Sequence, residues 1–467
     1  MSRGDPPEPD GLPVLGNTLQ YLRDPGGFYE TCAEYGDVVR AQVGRDERYV
    51  VSHPDLVEQV LVSEDATYRT PDLLSERTVG LFGDGPRTAG VDRWRRLQNV
   101  VETTFTADRV AAYADTTVRH AETMAALWDD GETVPVDEAM RELTLDVLVD
   151  ALFGADADHQ QRRSELENGG DRGERVSERL GDSERIREAV HAFDEALEAL
   201  SATPLVPNWV PTRTNRRYRQ ALSAFDDVVA DLVARRHEER VEDRHDVLSV
   251  LLHTDDSDVD LDESAIRDQL VRLLVAGHET TAAALTFTAY ALATHPGVAD
   301  RLQAEVDAVL GTESATAADL PDLGYTERVV RESLRRYPPQ YATVRRAAEE
   351  TELAGYRVPP DATVVLPQWV VHNDPRWFTA PKTFRPERWA TWDGPAFAYF
   401  PFGGGTRDYV GQRFAMQELT LVVATMAQQV SFEPASGDPL ALAFGTTLRP
   451  RDGLDLVVRE RVATPRN

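Results

Sequence analysis

Cysteine is almost absent from this chain, with Cys32 the single one in 467 residues. One cysteine excludes an intramolecular disulfide and any metal site built from a cysteine cluster. Cys32 lies in FYETCAEYGDVV, on the apolar side of a predicted helix. Because free cysteine behaves as a small hydrophobic side chain in most proteins, we expect a buried structural role rather than a reactive thiol.

Lysine is equally scarce, since Lys382 is the one lysine in a chain of net charge −30. Such a negative charge repels nucleic acid and keeps a protein in solution. Acidic residues spread along the whole chain indicate adaptation to high salt, where their mutual repulsion is screened. The alternative is an ordinary acidic protein from a high-GC genome, in which codon bias replaces lysine by arginine.

The chain has no apolar run of membrane-spanning length, no internal repeat and no flexible linker. Its N-terminal segment is polar and rich in proline, which favours a soluble, cytoplasmic protein without a membrane anchor. We therefore expect a single domain over residues 1–467. Residues 155–186 carry almost no apolar side chains and predict a solvated or disordered excursion within it.

Helical periodicity dominates the remaining sequence, and a long segment around residues 265–295 is apolar on nearly all sides. That pattern is typical of a helix at the centre of a large domain. Strand pairs are predicted on either side of residues 44–46, 359–361 and 452–453, where turn-forming residues lie between β-rich runs. The fold class is mainly α, with a smaller β component (α+β).

The central segment contains the motif AGHETT at residues 276–281. Glycine within a helix costs about 1 kcal/mol relative to alanine, and a nearby threonine hydroxyl can bond to a backbone carbonyl. Gly277 and Thr280 therefore predict a notch for a small ligand, with Glu279 beside it as a proton carrier. Alternatively, residues 278–280 are a His-Glu-Thr triplet that faces solvent on an amphipathic helix, which gives the same sequence pattern.

A second motif, ESLRR, places Glu332 and Arg335 on one helical face among apolar neighbours. Pairs of this kind are usually weak surface salt bridges, but a buried pair needs a third charged partner. The segment FRPERW offers Arg385 and Arg388. Near the N-terminal third, Trp94 begins a basic helix and is equally consistent with an interfacial tryptophan.

The segment PFGGGTRDYVGQRFAMQE at residues 401–418 joins three glycines to an apolar helix, with Tyr409 at the tip of the loop. In order and spacing, GLPVLGN, DRWRR, AGHETT, ESLRR, GYRVP, HNDPRW, FRPERW and PFGGGTRDYVG together resemble the cytochrome P-450 family over nearly the whole chain. The resemblance implies haem-thiolate monooxygenase activity and a triangular helical prism with small β-sheets around a buried haem b (iron protoporphyrin IX).

The resemblance also implies roles for individual residues. Thr280 and Glu279 would supply protons during oxygen activation, and Glu332, Arg335 and Arg388 would form a structural triad. Residues 67–85 and 192–218 would cover the substrate. The cofactor-binding residues would be Trp94, Gln98, Ala276, Gly277, Arg345, Phe402, Arg407 and Gly411, with Tyr409 at the axial iron position. Among these, Trp94, Arg345 and Arg407 would face the carboxylates of the haem.

Two positions depart from the family pattern. Gln98 stands where the family usually has an arginine that binds a haem carboxylate, and Tyr409 stands where it has the cysteine ligand. Three explanations of Tyr409 remain open at this point. They are a deliberate or accidental replacement of the ligand in an otherwise normal monooxygenase sequence, a natural variant in which phenolate ligates the iron as in a catalase- or peroxidase-like enzyme, and a degenerate scaffold that binds haem or lipid without turnover.

The reaction implied is insertion of one atom of O2 into a hydrophobic small-molecule substrate. Electrons would come from a separate ferredoxin- or flavodoxin-type protein, because the chain contains no flavodoxin-like segment. We expect monooxygenation by this chain to be poor, because phenolate is a different axial ligand from thiolate.

Overall fold

The computed structural model describes residues 4–70, 101–102, 104–154, 185–193, 195–196, 199, 210–238, 246–253 and 263–461. Its elements are numbered within those ranges. The helices are α1 (Thr18–Arg23), α2 (Pro25–Tyr35), α3 (Pro54–Glu58), α4 (Ala107–Ala112), α5 (Ala114–Ala125), α6 (Val136–Phe153), α7 (Arg213–Glu238), α8 (Val247–His253), α9 (Glu263–Thr294), α10 (Pro296–Val309), α11 (Gly324–Arg336), α12 (Gln368–Val371) and α13 (Gln412–Gln429). The strands are β1 (Val38–Val43), β2 (Asp46–Val51), β3 (Tyr68–Arg69), β4 (Thr133–Pro135), β5 (Thr343–Ala347), β6 (Thr351–Leu353), β7 (Tyr356–Val358), β8 (Thr363–Leu366), β9 (Val430–Pro434), β10 (Leu442–Phe444), β11 (Leu448–Pro450) and β12 (Asp455–Glu460).

The long helix α9 is the centre of the molecule, as its nearly uniform hydrophobicity predicts. It packs against α6, α11 and α13, and buried side chains from all four helices form one continuous hydrophobic cluster. Phe287, in its C-terminal half, stacks on Tyr337 with ring centroids 4.9 Å apart. In the described part of the chain, no helix combines the length and hydrophobicity needed to cross a membrane.

The main β-sheet has five strands in the order β1-β2-β8-β5-β3. β1 and β2 form the hairpin predicted around residues 44–46, with Val43 opposite Asp46. β2 pairs in parallel with β8, and the other pairs of this sheet are antiparallel. Within this sheet β5, which carries Arg345, pairs with β3, whose Tyr68 carbonyl accepts a hydrogen bond from Arg407 of the glycine loop.

The other two predicted strand pairs are wrong. The turn near residue 360 does not join its flanking strands, because β6 and β7 already form a tight hairpin with each other. Ala354 and Gly355 both have positive φ there, as a two-residue hairpin turn requires. β11 likewise pairs with β10, whereas β12 pairs with β4 and β9.

Two further predictions can be compared with the structure. Cys32 is fully buried on α2, and burial raises the pKa of its thiol to about 12, so its structural role is confirmed. Of the predicted polar excursion, residues 155–184 lie outside the described residues. Its last two residues belong instead to a helical stretch over 185–193, in which Ile186 is buried.

Candidate cofactor site

The notch predicted on α9 is formed by its backbone and by the neighbouring helix α6. The hydroxyl of Thr280 donates a hydrogen bond to the Ala276 carbonyl at 2.6 Å. A Cβ atom at Gly277 would lie 3.3 Å from a Leu148 methyl group, so glycine permits this close approach of the two helices. Ala276, Gly277 and Thr280 remain partly exposed.

His278 and Glu279 point away from one another, as consecutive helical residues do. His278 is buried and its Nε2 lies 3.0 Å from the Arg141 carbonyl, which fastens α9 to α6. Glu279 accepts a hydrogen bond at Oε2 from the Thr447 hydroxyl at 3.0 Å. The carboxylate is therefore oriented by the turn between β10 and β11.

The glycine loop before α13 needs glycine at successive positions for different reasons. Gly403 and Gly405 have φ angles of 82° and 77°, a region that other residues rarely adopt. A Cβ atom at Gly404 would lie 2.6 Å from the Phe397 ring. At Gly405 it would lie 2.0 Å from the Leu61 carbonyl oxygen, so the loop is seated directly on the backbone of residues 61–62.

Tyr409 extends from this loop toward α9. Its amide donates a hydrogen bond to the Phe402 carbonyl at 3.1 Å, and its ring lies nearly parallel to that of Phe402, with centroids 6.3 Å apart. A Cβ atom at Gly411 would lie 2.8 Å from the phenol ring, and one at Gly277 would lie 3.5 Å from its hydroxyl. The side chain therefore spans the gap between loop and helix.

The surroundings of Tyr409 keep its hydroxyl protonated at neutral pH. Burial raises the pKa of Tyr409 above the ordinary phenol value, and the nearby Glu418 carboxyl raises it further. Glu418 lies on α13 and is itself buried, with a pKa raised to about 8 by that burial. Within the described residues, its Oε1 atom has no hydrogen-bond partner.

Two arginines form the polar end of the site. Arg345 on β5 is buried, and burial together with the positive charge of Arg407 lowers its pKa to about 10. The Arg407 guanidinium donates to the Tyr68 carbonyl at 2.8 Å. Asp65 partly offsets the two positive charges, so this end of the site favours an additional anion.

The motif ESLRR forms a buried ion network with FRPERW. Glu332 accepts hydrogen bonds from Arg335 at 2.9 and 3.0 Å and from Arg388 at 3.0 Å. The Trp389 indole and the Arg385 amide also donate to it, at 3.0 and 2.9 Å. The Arg335 guanidinium also donates hydrogen bonds to the carbonyls of residues 372 and 381. These bonds join α11 to the segment before the glycine loop.

The structure brings most of the residues singled out in the sequence to two places. Ala276, Gly277, Thr280, Phe402, Tyr409 and Gly411 lie around the gap between α9 and the loop, with Arg345 and Arg407 at the arginine end. Glu332, Arg335 and Arg388 form the separate buried network. Trp94 and Gln98 lie outside the described residues, as do residues 71–85 and 200–209 of the segments predicted to cover a substrate.

Three contributors were not singled out in the sequence. Thr447 orients Glu279, and nothing in GTTLRP signals that partnership, because the two residues are far apart along the chain. Glu418 is one acidic residue among many, and its burial is a property of tertiary packing. Trp389 lies within FRPERW, so a tryptophan beside two arginines was a usable signal for the Glu332 network.

Comparison with known proteins agrees with this geometry. The family described as Cytochrome P450 matches residues 6–456. Among solved structures, the retinoic acid-bound cyanobacterial CYP120A1 superposes with a TM-score of 0.82 at 23% identity, covering 99% of this chain and 100% of that one. A cytochrome P450DA haem domain superposes with a TM-score of 0.83 at 22% identity and covers 99% of both chains. These two similarities confirm the fold.

Curated relatives match over nearly their full length. Cyclooctatin synthase of Streptomyces melanosporofaciens is 33% identical, covering 96% of this chain and 92% of that protein. Pentalenene oxygenase of Streptomyces avermitilis is 30% identical, and the match covers 95% of each. The chain therefore belongs to the cytochrome P450 family of haem-dependent monooxygenases.

Proposed function

We propose that this chain is a terpenoid oxygenase of the cytochrome P450 family in which Tyr409 lowers the rate of oxygenation. The substrate class is suggested by the relatives, among them pentalenene oxygenase and cyclooctat-9-en-7-ol 5-monooxygenase, the latter 30% identical over 92% of this chain. The observation that supports this low rate is the position of the Tyr409 phenol in the gap between the glycine loop and α9.

The arginine end of the site fits haem b. Arg345 and Arg407 lie near one another with Asp65 as a nearby negative charge, and a dicarboxylate cofactor would place further anionic groups against the two guanidinium groups. Ala276, Gly277 and Thr280 are small, partly exposed residues on α9. When bound, haem supplies the oxidising power for oxygen insertion, with electrons delivered by a separate ferredoxin- or flavodoxin-type protein.

The axial position does not fit haem in the observed side-chain conformation. A flat ring between the loop and α9 needs van der Waals clearance on both faces, about 7 Å in total. A Cβ atom at Gly277 would lie 3.5 Å from the Tyr409 hydroxyl, so the phenol occupies part of the space between the loop and α9. Haem binding therefore requires the phenol to rotate away or the loop to move, and either change weakens binding relative to a shorter side chain.

The protonation state of Tyr409 adds to this restraint. Because burial and the Glu418 carboxyl raise its pKa, a neutral phenol is favoured over the phenolate that serves as the axial ligand in catalase. A cysteine at this position is shorter and ionises more readily, with an ordinary pKa near 8.5. The same geometry therefore disfavours a catalase- or peroxidase-like activity for the present chain.

The remaining residues of α9 are arranged to handle protons. The Thr280 hydroxyl donates a hydrogen bond to the Ala276 carbonyl. The preceding residue, Glu279, is oriented by a hydrogen bond from Thr447. A carboxylate beside a hydroxyl can take up a proton from solvent and pass it toward the gap that Thr280 lines. We therefore assign Glu279 and Thr280 to proton supply, with Thr447 as the positioning residue for Glu279.

The experiment compares the native chain with Tyr409→Cys, both produced in a haem-replete host. We expect Tyr409→Cys to retain more haem than the native chain. Its Soret band should shift strongly to longer wavelength when the protein is reduced under carbon monoxide, as a thiolate ligand requires. It should also oxygenate pentalenene-type hydrocarbons with a surrogate ferredoxin and reductase, at least tenfold faster than the native chain. Tyr35→Cys is the matched control, because it adds a cysteine at an exposed tyrosine.

Three outcomes contradict the proposal. Failure of Tyr409→Cys to gain the shifted band would show that position 409 is not the axial position. A shifted band in the native chain would show that a thiolate is already present. Peroxide turnover by the native chain without a reductase, lost in Tyr409→Phe, would support a phenolate-ligated enzyme instead.

A further inference from the structure

A second cavity lies on the opposite side of β5 from Arg345, between the N-terminal helices and the five-stranded sheet. Its volume is about 190 Å³. The polar part of its lining consists of Tyr21, Tyr29, Asp46, Arg48, Gln340, Tyr341, Thr363 and Thr446. Ala342, Val344 and Val365 form the apolar part, so the cavity offers both a polar end and hydrocarbon contact.

Arg48 is the charged group at the centre of this lining. Its Nε donates to Asp46 Oδ2 at 3.2 Å, and its guanidinium carbon lies 4.5 Å from the centre of the Tyr21 ring. Within the described residues, Asp46 is the one carboxylate that forms a salt bridge with Arg48. A guanidinium carries five N–H donors, so Arg48 has donors beyond those that bond to Asp46 and Tyr21.

Three phenol hydroxyls lie around Arg48. Tyr21 interacts electrostatically and by hydrogen bonding with Arg48, Tyr29 and Tyr341. Burial raises the pKa of both Tyr29 and Tyr341, so these hydroxyls stay protonated at neutral pH. The Tyr341 hydroxyl donates to the Gly445 carbonyl at 3.0 Å, which fixes its position at the edge of the cavity.

The carboxylate of the lining is already engaged. Both oxygens of Asp46 are occupied, Oδ2 by Arg48 and Oδ1 by the Thr363 hydroxyl at 2.7 Å. The guanidinium N–H groups of Arg48 that face the cavity favour a ligand group that accepts hydrogen bonds and carries negative charge. A carboxylate is such a group, and it pairs well with a guanidinium.

We propose that this cavity, defined by Tyr21, Tyr29, Arg48 and Tyr341, binds the carboxylate of a small hydrophobic acid. The apolar residues of the lining contact the first part of its hydrocarbon chain. An alcohol of the same skeleton binds less tightly because it lacks the charge, and an amine is repelled by Arg48.

The cavity is connected to the residues assigned to proton supply. Thr446 lines it, and the following residue, Thr447, donates a hydrogen bond to Glu279 on α9. An acid held here thus lies against the same turn that orients Glu279. The identification of this acid as a substrate rests on the proposed function, whereas the binding site itself does not.

Farnesoic acid is a suitable probe, with farnesol as its uncharged counterpart. Binding is measured by isothermal titration calorimetry on the full chain, at the salt concentration that gives maximal thermal stability. We expect farnesoic acid to bind at least tenfold more tightly than farnesol. Arg48→Gln should reduce the affinity for the acid at least tenfold while changing the affinity for farnesol less than twofold.

Loss of Arg48 leaves Asp46 without its ion pair, so a second variant guards against misfolding. Tyr21→Phe keeps the ring beside Arg48 but removes one hydroxyl, and should weaken the acid about threefold to tenfold, the usual effect of one hydrogen bond. Arg23→Gln on α1 and Tyr35→Phe on α2 are the matched controls, because both residues are exposed and outside the lining. Neither should change binding.

Equal affinity for the acid and the alcohol, or native affinity for the acid in both Arg48→Gln and Tyr21→Phe, would overturn the proposal. These measurements need neither turnover nor a change at Tyr409. Binding that depends on Arg48 together with an inactive Tyr409→Cys variant would leave the site intact and reject the proposed function. The reverse pair of results would reject the site alone.

Discussion

Among the described residues, Glu332 is the acceptor on which the largest number of buried donors converges. It accepts five hydrogen bonds, from Arg335, Arg388, Trp389 and the Arg385 amide, and it has no exposed surface. Buried ion pairs are costly to break, because the remaining charge stays buried without a partner. The network therefore makes the position of the segment before the glycine loop dependent on one carboxylate.

Glu332→Gln is expected to destabilise the fold by about 3–5 kcal/mol, the usual effect of removing one partner from a buried charge pair. The measurement is urea unfolding followed by circular dichroism. Glu327→Gln, on the exposed side of the same helix and 4.0 Å from Arg331, is the control and should cost less than about 1 kcal/mol. A similar loss in both variants would contradict a special role for Glu332.

Glu418 leads to a prediction about pH. Its pKa is raised to about 8 in the folded chain, whereas an unfolded glutamate loses its proton near pH 4.3. Between these values the folded state binds more protons than the unfolded state, so the free energy of unfolding falls as pH rises, by up to about 1.4 kcal/mol per pH unit. Below about pH 4 the carboxyl is protonated in both states, and above about pH 8 it is ionised in both, so in neither range does this residue make the free energy of unfolding depend on pH.

Glu418→Gln removes this titration and should flatten the stability profile between about pH 5 and pH 8. Urea midpoints at successive pH values measure the effect, and the variant should be the more stable protein at the upper end. Glu349→Gln, at an exposed position, controls for the change in net charge. An unchanged slope in Glu418→Gln would show that its carboxyl is ionised in the folded chain.

At the scale of elements, the glycine loop has two glycines that differ in what surrounds them. Both Gly403 and Gly405 have positive φ, but a Cβ atom at Gly403 would come no closer than 4.0 Å to its nearest neighbour, whereas at Gly405 it would lie 2.0 Å from the Leu61 carbonyl oxygen. Gly403→Ala should therefore cost only the backbone strain, about 1–2 kcal/mol.

Gly405→Ala carries the same strain and also forces the loop off the backbone of residues 61–62. We expect a further loss of at least about 1 kcal/mol in the free energy of unfolding, as overpacking in a rigid environment usually gives. Paired urea titrations of the two variants measure the difference. Equal destabilisation would mean that the loop can move away from Leu61 without cost, which would also ease the accommodation of Tyr409.

The elements that could be predicted from the sequence are those with local signals. The hydrophobicity of α9, the hairpin between β1 and β2, and the pairing of Glu332 with a later arginine all follow from periodicity, turn residues or charge balance. The strands β8 and β12 were paired incorrectly, because their partners β2, β5, β4 and β9 are distant in sequence. No local pattern specifies such long-range pairing.

The site shows the same division. The notch around Gly277 and Thr280 was predictable, because glycine and threonine have distinctive backbone effects within a helix. The reach of Tyr409 to Gly277, the bond between Thr447 and Glu279, and the tyrosine cluster around Arg48 depend on how separate elements pack. Side-chain chemistry could thus be predicted at each position, whereas the partners required the structure.

The whole molecule has an excess of negative charge, −30 over 467 residues. Charges of one sign on a compact surface repel each other and destabilise the folded state more than the expanded unfolded chain. The screening length falls from about 10 Å at 0.1 M salt to about 3 Å at 1 M. Added salt should therefore remove most of this repulsion within that range.

We accordingly expect the melting temperature to rise by roughly 5 °C or more between about 0.1 M and 1 M KCl, which corresponds to a few kcal/mol for a chain of this size. Differential scanning fluorimetry measures the rise. Sucrose is the control, because it stabilises proteins by exclusion from their surface without screening charge. If charge repulsion limits stability, most of the gain with KCl appears at the lower concentrations, where the screening length changes most. A gain that sucrose reproduces, or none at all, would instead indicate an ordinary acidic protein whose arginine content reflects codon usage.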